Sequence, residues 1–116
     1  MPTEVKITSR VLITSCVIHM EGSIDGNNLD KLESVVEPLL KDPNNRIFIM
    51  DFKGLQFIDS RVVGYITFLY TTLNHSGRIL ALISPTEAVD DTLTLVGLKN
   101  LIPTFSSIDE AIKKLQ

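Results

Sequence analysis

The 116-residue sequence predicts an α/β fold: one domain with a mixed, mostly parallel sheet of about five strands and four helices. Three observations carry this. Short bursts of apolar and β-branched residues alternate with stretches whose apolar positions recur every three or four residues, the pattern of strands joined by helices. The first two bursts instead follow one another with only Ser9-Arg10 between them, too few residues for a crossover helix, so they are expected to pair as an antiparallel hairpin. No linker, internal repeat or low-complexity tract interrupts the series, and the length suits a single core spanning residues 1–116.

Taken in order, Glu4 to Thr8 alternates polar and apolar residues, and Val11 to Met20 is rich in β-branched residues; both read as strands. After Gly22 a polar loop, Ser23 to Asn28, ends in an Asn cap. Leu29, Leu32, Val35 or Val36, and Leu39 then mark the apolar face of a helix reaching about Leu40, closed by Pro43 and Asn44-Asn45. Ile47 to Met50 is an apolar strand followed by Asp51, with Lys53-Gly54 as a turn signal. Asp59-Ser60 then offers a cap for a helix carrying Val62, Val63, Ile66, Leu69, Tyr70 and Leu73. Gly77 occupies the position of a left-handed helix stop. Arg78 to Ile83 is the next strand. Ser84-Pro85-Thr86-Glu87 combines a capping box with proline at the first helical position, opening a helix through Ala88, Val89, Leu93 and Val96 to Gly97. A last strand is expected near Leu101 to Phe105, before a second capping box, Ser107 to Glu110, and a terminal helix with Ala111, Ile112 and Leu115.

Composition narrows the function classes. The 11 basic and 14 acidic residues are spread without blocks, giving a net charge of -3, so no basic face is built to neutralise phosphates and nucleic acid is not an expected partner. The apolar run from Val11 to Met20 is broken by Thr and Ser and falls short of the roughly 20 residues of a membrane helix. Met1 to Arg10 lacks the hydrophobic stretch of a signal peptide, and a cytoplasmic protein is expected. The single cysteine, Cys16, has no partner for an internal disulfide and reads as a buried thiol.

The stretch from Arg46 to Gly64 holds the candidate site. Right-handed crossovers place the loops after parallel strands on one edge of the sheet, which brings Glu21 to Asn28 beside Asp51 to Ser60. Ser60 stands at the head of a helix, where a phosphoryl group would meet free N–H groups and the positive end of the helix dipole. Its plain reading is an N-cap. Asp59 is the residue before the cap or the cap itself, Asp25 a turn former, Arg61 a solvated side chain in the first helical turn, and Asp51 a strand-end polar residue. Catalysis by Ser60 would need a base within reach. His75 lies at the far end of the same helix, on the order of 20 Å away, and His19 amid Ile18 and Met20 reads as a packed strand residue. No nucleophile elbow, phosphate-binding glycine loop or metal-ligand spacing occurs, so the chain is expected to be non-catalytic, with neither cofactor nor metal.

With that order in place, the chain resembles the STAS domain family, and within it the small free-standing anti-sigma factor antagonists of bacteria. The resemblance covers nearly the whole sequence. Gly22-Ser23-Ile24-Asp25 is similar to the family's Gly-x-Leu-Asp turn. Asp51, then Phe57-Ile58-Asp59-Ser60-Arg61-Val62-Val63-Gly64, is similar to its strand-end Asp and Asp-Ser-Ser-Gly-Leu-Gly helix start, and Gly97-Leu98 to a further Gly-Leu. Arg61 stands where the family usually has a second Ser, and Val62 where it has Gly. The resemblance implies that Ser60 is the phosphorylation site and that Asp25, Asp59, Arg61 and Val62 touch a partner. That partner would be an anti-sigma factor with serine kinase activity, bound by the unphosphorylated chain, with a protein phosphatase reversing the modification. The protein itself would be a monomer or weak dimer. Two other readings stand beside this one: a constitutive interaction or scaffold module whose altered motif is no longer phosphorylated, and a receiver domain using Asp51 as phosphoacceptor. The receiver reading ranks well below, because the chain lacks a receiver's acidic pair after the first strand and its Lys after the last strand.

Overall fold

The structure, a computed structural model, describes residues 5–116. Glu4, the expected start of the first strand, lies outside them. The elements are β1 (Lys6–Val11), β2 (Ser15–Ile24), α1 (Leu29–Leu40), β3 (Ile47–Ile58), α2 (Ser60–His75), β4 (Ile79–Ile83), α3 (Glu87–Leu95), a 3₁₀ turn (Leu98–Asn100), β5 (Thr104–Phe105) and α4 (Ile108–Leu115). Five strands form one sheet in the order β1-β2-β3-β4-β5, with β1 antiparallel to β2 and the other pairs parallel. The α/β class, the opening hairpin and the four helices are therefore as the sequence predicts.

The hairpin turns in a different place. Ser9 and Arg10 pair with Ile18 and Val17 inside the ladder, and the chain reverses at Leu12 to Thr14, closed by the Leu12 N–H to the Ser15 carbonyl at 2.7 Å. The reason is the position of β1 at the sheet edge. There Lys6, Thr8, Ser9 and Arg10 stay in water while remaining in a strand, so their polarity does not mark a turn. β2 is internal and buries Cys16, Val17, Ile18 and Met20 on both its faces.

β3 is also longer than its apolar burst. It runs 12 residues to Ile58, and Lys53-Gly54 is a bulge within it rather than a turn. The β2–β3 register shifts between His19 and Glu21 and again between Gly22 and Ser23, so the irregular stretch stays paired and ends with Ile24 opposite Ile58. Gly54 is required by this closeness: a Cβ there would stand 2.8 Å from Glu21 Cγ and 3.2 Å from the Met20 carbonyl oxygen.

Two cores of unequal size flank the sheet. On one face Cys16, Ile18, Met20, Phe48, Met50, Leu80 and Leu82 meet the apolar sides of α1, α2 and α3. On the other, Val17, Ile47, Ile49 and Ile83 meet Ala111 and the apolar positions of α4. The expected Ser84 capping box does not form. α3 begins at Glu87 with Thr86 at the cap position, because Ser84 adopts φ +46° and donates its hydroxyl to the Ser106 carbonyl, while the Thr86 hydroxyl donates to the Leu55 carbonyl at 2.8 Å. Ser84 ties two loops together and Thr86 ties its loop to β3, and neither side chain caps the helix. The Ser107 box is close to its sequence form: Ser107 Oγ accepts the Glu110 N–H at 3.1 Å, and Glu110 Oε1 reaches back to the Ser106 N–H at 3.0 Å.

Candidate functional site

The Ile24–Ile58 pairing sets two chain exits side by side, the loop 25–28 and the start of α2. Asp59 joins them. Its Oδ1 accepts the N–H groups of Arg61 and Val62, each at 3.1 Å, and its Oδ2 accepts the Gly26 N–H at 3.0 Å. Asp59 is thus the N-cap of α2 and also the anchor of the neighbouring loop. Partial desolvation acts to raise its pKa, but the hydrogen bonds from Val62, Gly26 and Arg61, with the Arg61 guanidinium, hold the carboxyl below the usual carboxylate range.

With capping carried by Asp59, Ser60 is the first residue of the helix and not its cap. It is exposed, and its hydroxyl has no hydrogen-bond partner among the described residues. Arg61 is exposed beside it and lies across Gly26: a Cβ on Gly26 would stand 2.8 Å from Arg61 Cζ and nearer still to Cδ and Nη1. Asp25 shapes the loop, its Oδ1 accepting the Asn27 N–H at 2.8 Å. The structure therefore brings Asp25, Asp59, Ser60 and Arg61 together on one sheet edge.

Val62 does not join them. It is 1% exposed and belongs to the core under α2, so its side chain offers a partner no surface. The third helical position turns inward on a 3.6-residue period. Two residues that the sequence reading did not assign to the site also shape it. Gly26 supplies both the N–H held by Asp59 and the room for Arg61. Asn28, expected as a helix cap, makes no cap bond; its amide accepts the Asp25 N–H at 2.9 Å and donates to the Ser23 carbonyl at 3.0 Å, closing the loop on itself. A glycine and two asparagines in a polar loop were the available signal, but they point to a turn and not to the strand or helix that holds it.

Asp51 lies within β3 rather than at its end. Its Oδ2 is 2.8 Å from His19 Nδ1 and its Oδ1 accepts the Lys53 N–H at 3.0 Å. The His19–Asp51 pair is seven residues before Ile58 on β3, about 20 Å at roughly 3.3 Å per residue. His75 closes α2 at its opposite end. Neither imidazole is placed to take a proton from Ser60. Depressions of about 230 and 360 Å³ open at the other end of the domain, lined by residues that include Arg46, Gly77, Ile79 and Arg78, and contain none of the expected site residues.

A family model for the STAS domain matches residues 3–111. A Thermotoga maritima protein provisionally assigned as an anti-sigma factor antagonist is 29% identical over 82 residues, 71% of this chain and 72% of that protein. The anti-sigma factor antagonist SpoIIAA in its unphosphorylated form superposes with a TM-score of 0.80 at 20% identity, over 97% of this chain and 96% of that one. The Bacillus cell fate determinant SpoIIAA in its phosphorylated form superposes with a TM-score of 0.73 at 18% identity, over 97% and 100%.

Proposed function

The chain belongs to the STAS domain family, and from that premise we propose that it is a cytoplasmic anti-sigma factor antagonist that works by partner switching. Unphosphorylated, it binds an anti-sigma factor with serine kinase activity. Transfer of a phosphoryl group from ATP to Ser60 Oγ breaks the complex, and a protein phosphatase restores it. Asp25, Asp59 and Arg61 form the rim of the contact surface, and the chain's own role is binding rather than catalysis.

The observation that carries this reading is the division of labour between Asp59 and Ser60. Because Asp59 accepts the helix N–H groups, the exposed Ser60 hydroxyl is free of structural duty and its modification leaves the cap in place. A phosphoserine adds roughly -1.5 to -2 charges, which the N-terminal end of α2 tolerates in the free protein. Desolvated in an interface without a countercharge, the same group costs roughly 2–5 kcal/mol, a loss of affinity of tens to thousands of times. The names of the relatives support the identity of the partner class. The two forms of SpoIIAA show that in that protein this fold occurs both with and without phosphate.

The test is a pull-down with wild type, Ser60→Ala and Ser60→Asp as baits, with captured proteins identified by mass spectrometry. Capture of an anti-sigma factor with a kinase domain by wild type and Ser60→Ala, but not by Ser60→Asp, is the expected result. Capture of the same proteins by all three overturns the switch. It would favour a constitutive interaction module, a reading to which Arg61, lying over Gly26 where the family has Ser, would then contribute.

A further inference from the structure

A second surface, carried by the outward sides of α1 and α2, is incomplete in the isolated chain. Tyr65 is only 8% exposed, yet its hydroxyl is buried with no hydrogen-bond partner among the described residues. A buried phenolic group in a finished core is normally paired. Its ring stacks on Phe68, centroids 6.0 Å apart with planes inclined 25°, and Phe68 is itself 55% exposed. Glu33 and Glu37, one turn apart on α1, lie near enough for their charges to act on that hydroxyl; burial first, then Glu33 and Glu37, hold its pKa above the ordinary 10.0. Neither carboxylate is in an ion pair among the described residues. One turn before Phe68, Gly64 is exposed in mid-helix, and a Cβ there would meet nothing within 4 Å. Nothing among the described residues therefore calls for a residue that weakens the helix.

We propose that the α1–α2 surface formed by Glu33, Glu37, Gly64, Tyr65 and Phe68 is a docking site for a basic helical segment of a partner protein, presenting arginines one turn apart. Each feature specifies a part of that occupant. Two carboxylates at i and i+4 match two guanidiniums at the same spacing, in the forked geometry that Arg provides and Lys does not. The Tyr65 hydroxyl oxygen is shielded in the isolated chain, so docking must open the side-chain contacts around it before an N–H of one guanidinium supplies the donor it lacks. The exposed face of Phe68 takes the cation or its aliphatic stem. Gly64 lets a helix backbone approach closely. Gly64 lies one turn from Ser60 in α2, but the observations behind this site do not rest on phosphorylation at Ser60.

The test uses the full chain, ¹⁵N-labelled, titrated with a synthetic acetylated helical peptide of about 14 residues that carries two arginines four apart beside two leucines. The expected result is saturable amide shifts centred on Glu33 to Glu37 and Gly64 to Phe68. Binding should fall at least tenfold when glutamine replaces both arginines in the peptide, and at least fivefold in the Glu33→Gln/Glu37→Gln double variant. Tyr65→Phe keeps the ring and removes the unpaired hydroxyl. It should bind the peptide several-fold more weakly while unfolding at the same or a higher temperature, a combination that a merely damaged core would not give. Shifts that map to other acidic surfaces, equal binding of the arginine and glutamine peptides, no saturable binding, or variants that bind like wild type would each overturn the proposal.

Discussion

Asp59 and Ser60 differ by one position and have opposite structural roles. Asp59 bonds three backbone N–H groups from two elements, whereas Ser60 bonds none through its side chain. Asp59→Ala removes a cap worth about 1 kcal/mol and the tether to Gly26, and should destabilise the domain by about 2 kcal/mol in urea unfolding. Ser60→Ala should stay within about 0.5 kcal/mol of wild type in the same measurement, where loss of a true cap would cost twice that or more. The pH dependence follows from the depressed carboxyl of Asp59. Its ionised form stabilises the fold, so the contribution is present above the ordinary value of 3.8 and is lost as the pH falls through the lower folded-state value. The stability gap between wild type and Asp59→Asn, measured by urea titration at a series of pH values, should close toward strong acid and be open at neutrality. The sequence made this pair legible as a helix start but left the cap undecided between them, because capping preference is shared by Asp and Ser. The decision came from β3: its pairing as far as Ile58 sets the Gly26 N–H against Asp59 Oδ2.

At the scale of elements, the 3.6-residue periods of α1 and α2 were legible because one face of each helix is buried and the other is not. Strand ends were less legible, since a strand's extent is decided by its neighbour. β3 continues past its apolar burst through Lys53, Gly54 and Gln56 because β2 is there to pair with, and its bulges consume the residues that read as a turn. Gly54→Ala tests that account. The added methyl would press on the Met20 carbonyl and on Glu21, backbone and side chain of a paired strand, so a loss of about 1–3 kcal/mol is expected by chemical denaturation. Gly77→Ala is the contrasting case. Its Cβ would meet nothing within 4 Å, but the residue sits at φ +71° after α2, so the left-handed backbone alone sets a cost of about 1–2 kcal/mol. An Ala at Gly77 that left stability unchanged would mean that the helix ends by another route.

For the whole molecule, strand and helix alternation made the parallel sheet legible, but not how unevenly its two faces are covered. Three helices lie over one face, whereas α4 alone supplies the helical cover of Val17, Ile49 and Ile83 on the other. That asymmetry raises the question of whether α4 can detach while the larger core persists, and Cys16 can answer it. The thiol is 0% exposed on the face away from α4, and burial pushes its pKa up to about 12 from 9.0, so in the native state it is both shielded and protonated. The neutral thiol's contribution to stability is intact below 9.0 and declines as the pH climbs from there toward about 12. A domain of this size is expected to unfold as one unit. Ala111→Asp places a carboxylate where α4 packs against the sheet, and it should accelerate labelling of Cys16 by an alkylating reagent at pH 8 in proportion to the stability it removes in urea. If the variant lost the contacts of α4, seen as lowered helical signal, while Cys16 stayed as protected as in wild type, the two faces would be separate units. The sheet would then be held by β1 to β4 and the three helices of the larger core, and the edge that carries Asp59 and Ser60 would stay assembled without α4.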